Sequence, residues 1–449
     1  MDANEALALV DAVVERARPA EQLEAVFEWS DSTEVRAHDS EVEHFVSAVE
    51  HGVGIRVIDG GRTGMSWTAA LDDEAIDVAV AEARDNARFA SADPNAGLAD
   101  PDGVEPAALA TVDAGFWDVS ADDKLAFALD LDARLSAADD RMVGHEGADY
   151  SDAFVLSAIA STTGVRCAES ETIAQAAIWA LASDGEEVTT GFGLDGGRGL
   201  HGLDAGAIID EAVGRATDLL GASKPPSEKV TVVFDPYVTS QFLAIVAGML
   251  SGSEVARGRT PFADRVGDQI AAPSFGLGDD PHAAAAPTSG TRDGEGLATR
   301  QVSLIEGGVL RGFLHNSYTA RELGSTSTAS AARGGYRGAP GVGPRVLTPV
   351  VGTRSRSELL VEVGDAVAVQ ELSGLHSGVN PTSGDLSVGM EGVRLRGGEP
   401  AEPIKEVTIA STIQRMLTGV VSIGSDLRRF PWDSSGVSLA IEDVTLSGA

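Results

Sequence analysis

The sequence predicts an α+β fold, with an N-terminal mixed α/β region in which strands are followed by a helix twice over and a C-terminal region that is mainly β and barrel-like. Three observations carry this. Before residue 221, apolar residues recur at helical spacing in some segments and in strand pattern in others. The run Gly221-Ala222-Ser223-Lys224-Pro225-Pro226 then breaks the chain, because two prolines and small residues cannot continue a helix. After Arg300, short strands alternate with glycine turns. A length of 449 residues implies more than one domain. We place an α/β domain at 1–221, subdivided near 91–119, and a β-rich domain at 227–449.

Residues Ala3 to Arg18 form an opening amphipathic helix that stops before Pro19. Strand pattern follows from Leu23 to Trp67, with Val53–Ile58 and Met65–Thr68 flanking the turn Asp59-Gly60-Gly61. Asp72 and Asp73 cap a helix reaching about Ala90, and 91–106, rich in Asp, Pro and Gly, reads as a linker. Ser120 and Asp123 open a second helix toward Ala138. Strands return around Ala153–Ile159 and Ile173–Trp179, and a helix from Asp204 to about Leu220 closes the region. In the second domain, Lys229–Phe234 is a strand and Val238–Leu250 a buried helix. Residues 271–299, mostly Ala, Gly, Pro and Asp, are expected to form a long mobile loop. Val302–Ile305 and Val309–Leu314 form a hairpin around Glu306-Gly307-Gly308.

The chain carries 69 acidic against 33 basic residues, a formal net charge of −36. Only Lys124, Lys224, Lys229 and Lys405 are lysines. Such an acid-rich, lysine-poor surface suits a salt-rich cytoplasm, where screening shortens to about 3 Å near 1 M salt. It disfavours nucleic acid, which needs clustered cations, and an acidic membrane surface. A single cysteine, Cys167, excludes an internal disulfide and fits a reducing compartment. The N-terminal apolar stretch is cut by Asp11 and Glu15, unlike a signal peptide or a membrane span. A cytoplasmic location is the expectation.

No GxxxxGK[ST] loop, GxSxG elbow or HExxH pair occurs. His145-Glu146 is the only His-Glu dipeptide and lacks a second histidine behind it. The pairs Asp139-Asp140 and Asp279-Asp280 read as solvated surface in so acidic a chain.

Three C-terminal stretches are more specific. One runs from Val232-Val233-Phe234-Asp235-Pro236 through the buried helix to Ala256-Arg257-Gly258-Arg259 and Val266-Gly267-Asp268-Gln269-Ile270-Ala271-Ala272-Pro273. Another joins Gly307-Gly308-Val309-Leu310-Arg311-Gly312-Phe313-Leu314 to Tyr318-Thr319-Ala320-Arg321 and Ala332-Arg333-Gly334-Gly335-Tyr336. The last is Gly378-Val379-Asn380-Pro381-Thr382-Ser383-Gly384-Asp385-Leu386-Ser387-Val388-Gly389, ending in Pro403–Ala410. Their order and spacing resemble the TldD/PmbA peptidase family, and within it the PmbA branch, also called TldE.

That resemblance implies a cytoplasmic, heterodimeric, zinc-dependent peptidase acting on small or poorly folded peptides. In the zinc-bearing branch an HExxxH helix and a distant cysteine hold the metal. The helix positions fall here on Leu243, Ala244 and Gly248, and the cysteine position on Asn380. Leucine, alanine and glycine coordinate nothing, and a lone asparagine oxygen is a poor zinc ligand. Glu254 is the only candidate ligand nearby. No cofactor is therefore expected in this chain, and zinc is expected in a TldD-like partner subunit. Whether the isolated chain forms a homodimer stays open. His315, Arg333, Tyr336, Asn380, Thr382 and Ser383 are the candidate peptide-cleft residues. Two other readings are a self-sufficient serine or threonine hydrolase and a regulatory peptide-binding protein with no proteolytic role.

Overall fold

The computed structural model describes residues 1–449. Its N-terminal half is one six-stranded antiparallel sheet with four helices. The chain order is α1 (Ala3–Val14), β1 (Gln22–His38), β2 (Glu41–Asp59), β3 (Arg62–Thr68), α2 (Asp73–Phe89), α3 (Ala121–Ala138), β4 (Met142–Ser161), β5 (Arg166–Ser183), β6 (Val188–Gly197) and α4 (Ala205–Asp218). The sheet order β3-β2-β1-β4-β5-β6 is symmetric about the β1–β4 pair, so the chain folds one helix–three strands–helix unit twice. The faint repeat expected from the sequence is thus a structural one, and each unit opens with a helix as well as closing with one.

All four helices cover one face. On β1, the odd-numbered Leu23, Ala25 and Phe27 pack with α1 and α2, while Val35 and Ala37 pack with α3 and α4. Alternation sends the even-numbered residues to the opposite face. Glycines set how closely the outer helices approach. A Cβ on Gly64 of β3 would lie 2.0 Å from the Ala83 carbonyl of α2, and one on Gly193 of β6 would lie 1.8 Å from the Ile208 carbonyl of α4. Capping boxes at Asp2 and Ser120 start α1 and α3, satisfying their first amides.

The C-terminal half is built on a closed five-stranded barrel. Its strands are β7 (Glu228–Phe234), β8 (Ala366–Ser373), β9 (Asp385–Arg396), β10 (Glu399–Thr412) and β11 (Leu439–Ser447). The hydrogen-bonded order β10-β9-β8-β7-β11 closes through β10–β11 pairing, and only β7–β8 is parallel. Helix α5 (Pro236–Met249) packs on the barrel within the largest apolar core.

Three expectations change, the first being that Asp279, read as solvated surface, is only 4% exposed. The segment 271–299 is packed rather than mobile. It holds the short strand Leu277–Asp279 and buries Asp279, Ser289, Asp293, Glu295 and Thr299 between the sheet and the rest of the C-terminal half. Its polar groups satisfy the irregular backbone: the Asp293 carboxyl accepts from the Glu295, Leu297 and Ala331 amides. The strand after Glu306-Gly307-Gly308 is also shorter than expected, covering only Val309–Leu310. No helix is long and apolar enough to cross a membrane.

Candidate functional site

Helix α5 begins where Asp235 accepts from the Val238 amide and Pro236 fills the first turn. Asp235 also binds the Arg215 guanidinium at 2.5 Å, and Arg215 lies over the rings of Phe192 and Tyr237. The start of the helix is therefore locked to the N-terminal domain by charge and aromatic contact. Phe242, Leu243, Val246 and Ala247 enter the core, whereas Ala244 and Gly248, one turn apart, face outward. The three positions that the resemblance sets against the metal-holding helix are thus divided: Leu243 is 0% exposed among apolar side chains.

Asn380 stands in an exposed turn before β9. Its Oδ1 accepts from the Thr382 and Ser383 amides, and Ser383 Oγ donates to Asp385. Asn380 is therefore engaged in shaping its own turn. Glu254 pairs with Arg257 at 3.1 Å. No three His, Cys, Asp or Glu side chains converge as a metal-ligand set. The donor chemistry of Leu243, Ala244, Gly248 and Asn380 does not fit a catalytic zinc.

The first turn of α5 opens on a groove of about 800 Å³ between the two domains. Its floor is the helix-free face of the sheet, where Arg36 and Asp149 form a bidentate pair beside Ser151, Gln175 and Trp179. Its wall is aromatic. Tyr237 and Trp432 line it, and Trp432 stacks on Phe430 at 4.7 Å and 4°. Gly196 on β6 seats the adjacent Pro431, because a Cβ there would fall 2.6 Å from the proline ring. An extended chain could lay apolar side chains on the aromatic wall and pair its backbone with Gln175 and Ser151.

A smaller cavity of about 260 Å³ lies farther along the same sheet face. Glu28, Glu169 and Glu171 enter it from the sheet, and Asp279, Asp293, Arg333 and Arg345 from the other side. Burial raises the Glu28 carboxyl, with Glu171 and Glu50 adding repulsion. Burial pushes Asp279 up to about 6. Asp293 rises to about 7, through burial and then the neighbouring Glu295.

These shifts predict a pH profile. The folded chain holds a proton on Asp293 that the unfolded chain releases near its ordinary value of 3.8, so Asp293's contribution is complete below about pH 4 and is lost as pH rises to about 7. Between pH 5 and 7 the wild-type stability advantage over Asp293→Asn should shrink by on the order of 2 kcal/mol. Denaturant unfolding at several pH values checks this, and parallel profiles for the two proteins would refute it.

None of the six candidate cleft residues lines the larger groove. His315 is 5% exposed, its ring pressed against Gly252 and its Nδ1 3.3 Å from Thr319 Oγ1, and burial lowers its pKa. Arg333 lines the smaller cavity and binds Glu24 at 2.8 Å. Tyr336 seats on Gly52 and Gly54 of β2, where no Cβ would fit. Asn380, Thr382 and Ser383 share the exposed turn. Sequence reasoning missed Tyr237, Trp179 and Trp432. The available signal was the scarcity of aromatics, 5% of the chain, against the cluster Phe430-Pro431-Trp432.

Comparison with known proteins covers nearly the whole chain. Residues 23–87 match PmbA/TldA metallopeptidase domain 1, 114–220 the central domain, and 227–448 the C-terminal domain. Metalloprotease PmbA of Escherichia coli O157:H7 is 27% identical over 394 residues, covering 86% of this chain and 84% of its own. A metalloprotease of Methanothermobacter thermautotrophicus is 30% identical over 292 residues, covering 62% of each. TldE from Thermococcus kodakarensis superposes with a TM-score of 0.89 at 21% identity, over 99% of both chains.

Proposed function

Because the chain belongs to the PmbA/TldD metallopeptidase family, we propose that it is the non-zinc-binding subunit of a two-chain peptidase acting on small or unfolded peptides. One observation supports the reading: the α5 positions that the resemblance sets against the metal-holding helix are a core leucine and two outward residues, none with a side-chain donor atom. A zinc-bearing homologue then supplies the metal, its polarised water and the cleavage step. This chain contributes binding. Its aromatic wall of Tyr237 and Trp432 and the polar floor around Gln175 suit an extended peptide of mixed side chains, and the Arg36–Asp149 pair fixes the floor in place.

The test is co-expression with an HExxxH homologue in high salt, followed by metal analysis and peptide hydrolysis. Zinc should travel with the homologue and activity should require both chains. Stoichiometric zinc in this chain alone, or peptide hydrolysis by it in the presence of a chelator, would overturn the reading.

A further inference from the structure

His145 is a buried histidine with one ring nitrogen paired and the other not. It is 5% exposed, and its Nε2 lies 2.7 Å from Asp132 of α3. Its Nδ1 is shut off from water and has no hydrogen-bond partner. His38, at the end of β1, repeats the pattern: its Nε2 faces the exposed Asp39 at 3.7 Å, and its Nδ1, on the side turned toward the fold, is likewise buried and unpaired. The two rings stand edge to face with their centres 4.9 Å apart. An imidazole lone pair left dry and unshared is a cost that a bound cation removes.

The chain builds this arrangement at two strand ends. Strand β4 slips register against β5 on both sides of His145, between Gly144 at φ 157° and Gly147 at φ 142°, a backbone region that favours glycine. Such irregularities re-aim a side chain, and here they send His145 into the fold. Asp132 meets it there, while the second Asp132 oxygen accepts from the Ser40 amide at 2.6 Å and so ties the turn after His38 to the same carboxylate. The second histidine that the local sequence around His145-Glu146 lacks is supplied by β1.

We propose that His38 and His145 form a binding site for a divalent transition-metal ion of the copper or nickel type, held by the two Nδ1 atoms. A carboxylate at Nε2 keeps the ring proton there and leaves the Nδ1 lone pair for the metal, the arrangement that orients most metal-bound histidines. Two imidazoles on one ion, with metal–nitrogen bonds of about 2.0–2.1 Å, bring their ring centres to about 5 Å. The observed spacing meets this, and the broad imidazole χ2 torsion lets both lone pairs turn onto one point. The donors select the ion. Two nitrogens are fewer than a structural or catalytic zinc takes, and magnesium and calcium prefer oxygen, whereas copper(II) and nickel(II) accept a tetragonal set completed by water. A chain of net charge −36 also draws cations to its surface. The site shares no residue with helix α5 and does not rest on the peptidase reading.

The experiment titrates copper(II) into the full chain in high salt with excess magnesium, which occupies surface carboxylates. One equivalent should bind, and its electron paramagnetic resonance spectrum should show two imidazole nitrogens in the equatorial plane. His38→Ala, at a half-buried position, and His145→Ala, with its fold checked by circular dichroism, should each lose that signature. Asp132→Asn keeps both ligands and should weaken binding about 10–100-fold. His376→Ala, at an exposed histidine elsewhere, should bind like the wild type. A copper spectrum with oxygen ligands only, two nitrogens that persist in His38→Ala, an affinity unchanged in Asp132→Asn, or equal loss in His376→Ala would each overturn the proposal. The readout is a copper spectrum rather than zinc content or peptide hydrolysis, so this site and the peptidase reading can fail separately.

Discussion

Glu24→Ala should destabilise the protein by about 3–5 kcal/mol, because it strands two guanidiniums in a dry interface. Glu24, on the helix-free face of β1, is 2% exposed. Its carboxylate binds Arg56 of β2 at 2.8 Å and Arg333 of the C-terminal half at 2.8 Å. Arg333 also donates to the Gly294 and Gly338 carbonyls. Burial pushes the Glu24 pKa up, but the two cations outweigh it and hold the carboxyl below its ordinary 4.5. The sign follows: this contribution is full above pH 4.5 and fades as pH falls through the lowered folded value. Arg333→Ala should cost less, because Glu24 keeps Arg56. Unfolding of the two single variants and the double variant isolates the interdomain coupling. A loss below about 1 kcal/mol for Glu24→Ala would show that the triad does not hold the halves together.

The triad also shows how far the sequence could be read. The α+β class, the helices at 73–89, 121–138 and 205–218, and the barrel-like C-terminal half were legible because they depend on local periodicity and capping. The repeat was only half legible. Its two units share an arrangement and a glycine device, Gly64 and Gly193, but no residue motif, so the opening helices did not mark them.

Everything that depends on long-range pairing stayed hidden. Arg333 reads in the sequence as a candidate peptide-cleft residue, yet its carboxylate partner lies 309 residues away. Segment 271–299 reads as mobile because Ala, Gly and Pro carry no periodicity, although Asp293 serves as a buried acceptor for the segment's own backbone. The groove escaped for the same reason: its floor comes from β1, β4 and β5 and its wall from Tyr237 and Trp432, residues that only the tertiary fold brings together.

Helix α5 yields the other large effect. Leu243→His should lower stability by several kcal/mol, on the scale of a large-to-small core change plus an unsatisfied imidazole. Leu243 is 0% exposed within the apolar core that includes Phe242, Val246 and Ile413, so an introduced ring nitrogen would lose water and meet hydrocarbon. Leu243→Met, which conserves volume, should cost less than about 1.5 kcal/mol. Ala244→Glu and Gly248→His lie on the outward face and should be nearly neutral. The combined variant with Asn380→Cys should therefore inherit the penalty of Leu243→His and gain little back from zinc, because one proposed ligand points into the core while two point away from it. Thermal unfolding with and without zinc measures both parts. A Leu243→His protein of wild-type stability, or a combined variant whose unfolding temperature climbs steeply with zinc, would show that this helix can turn its buried face toward a metal.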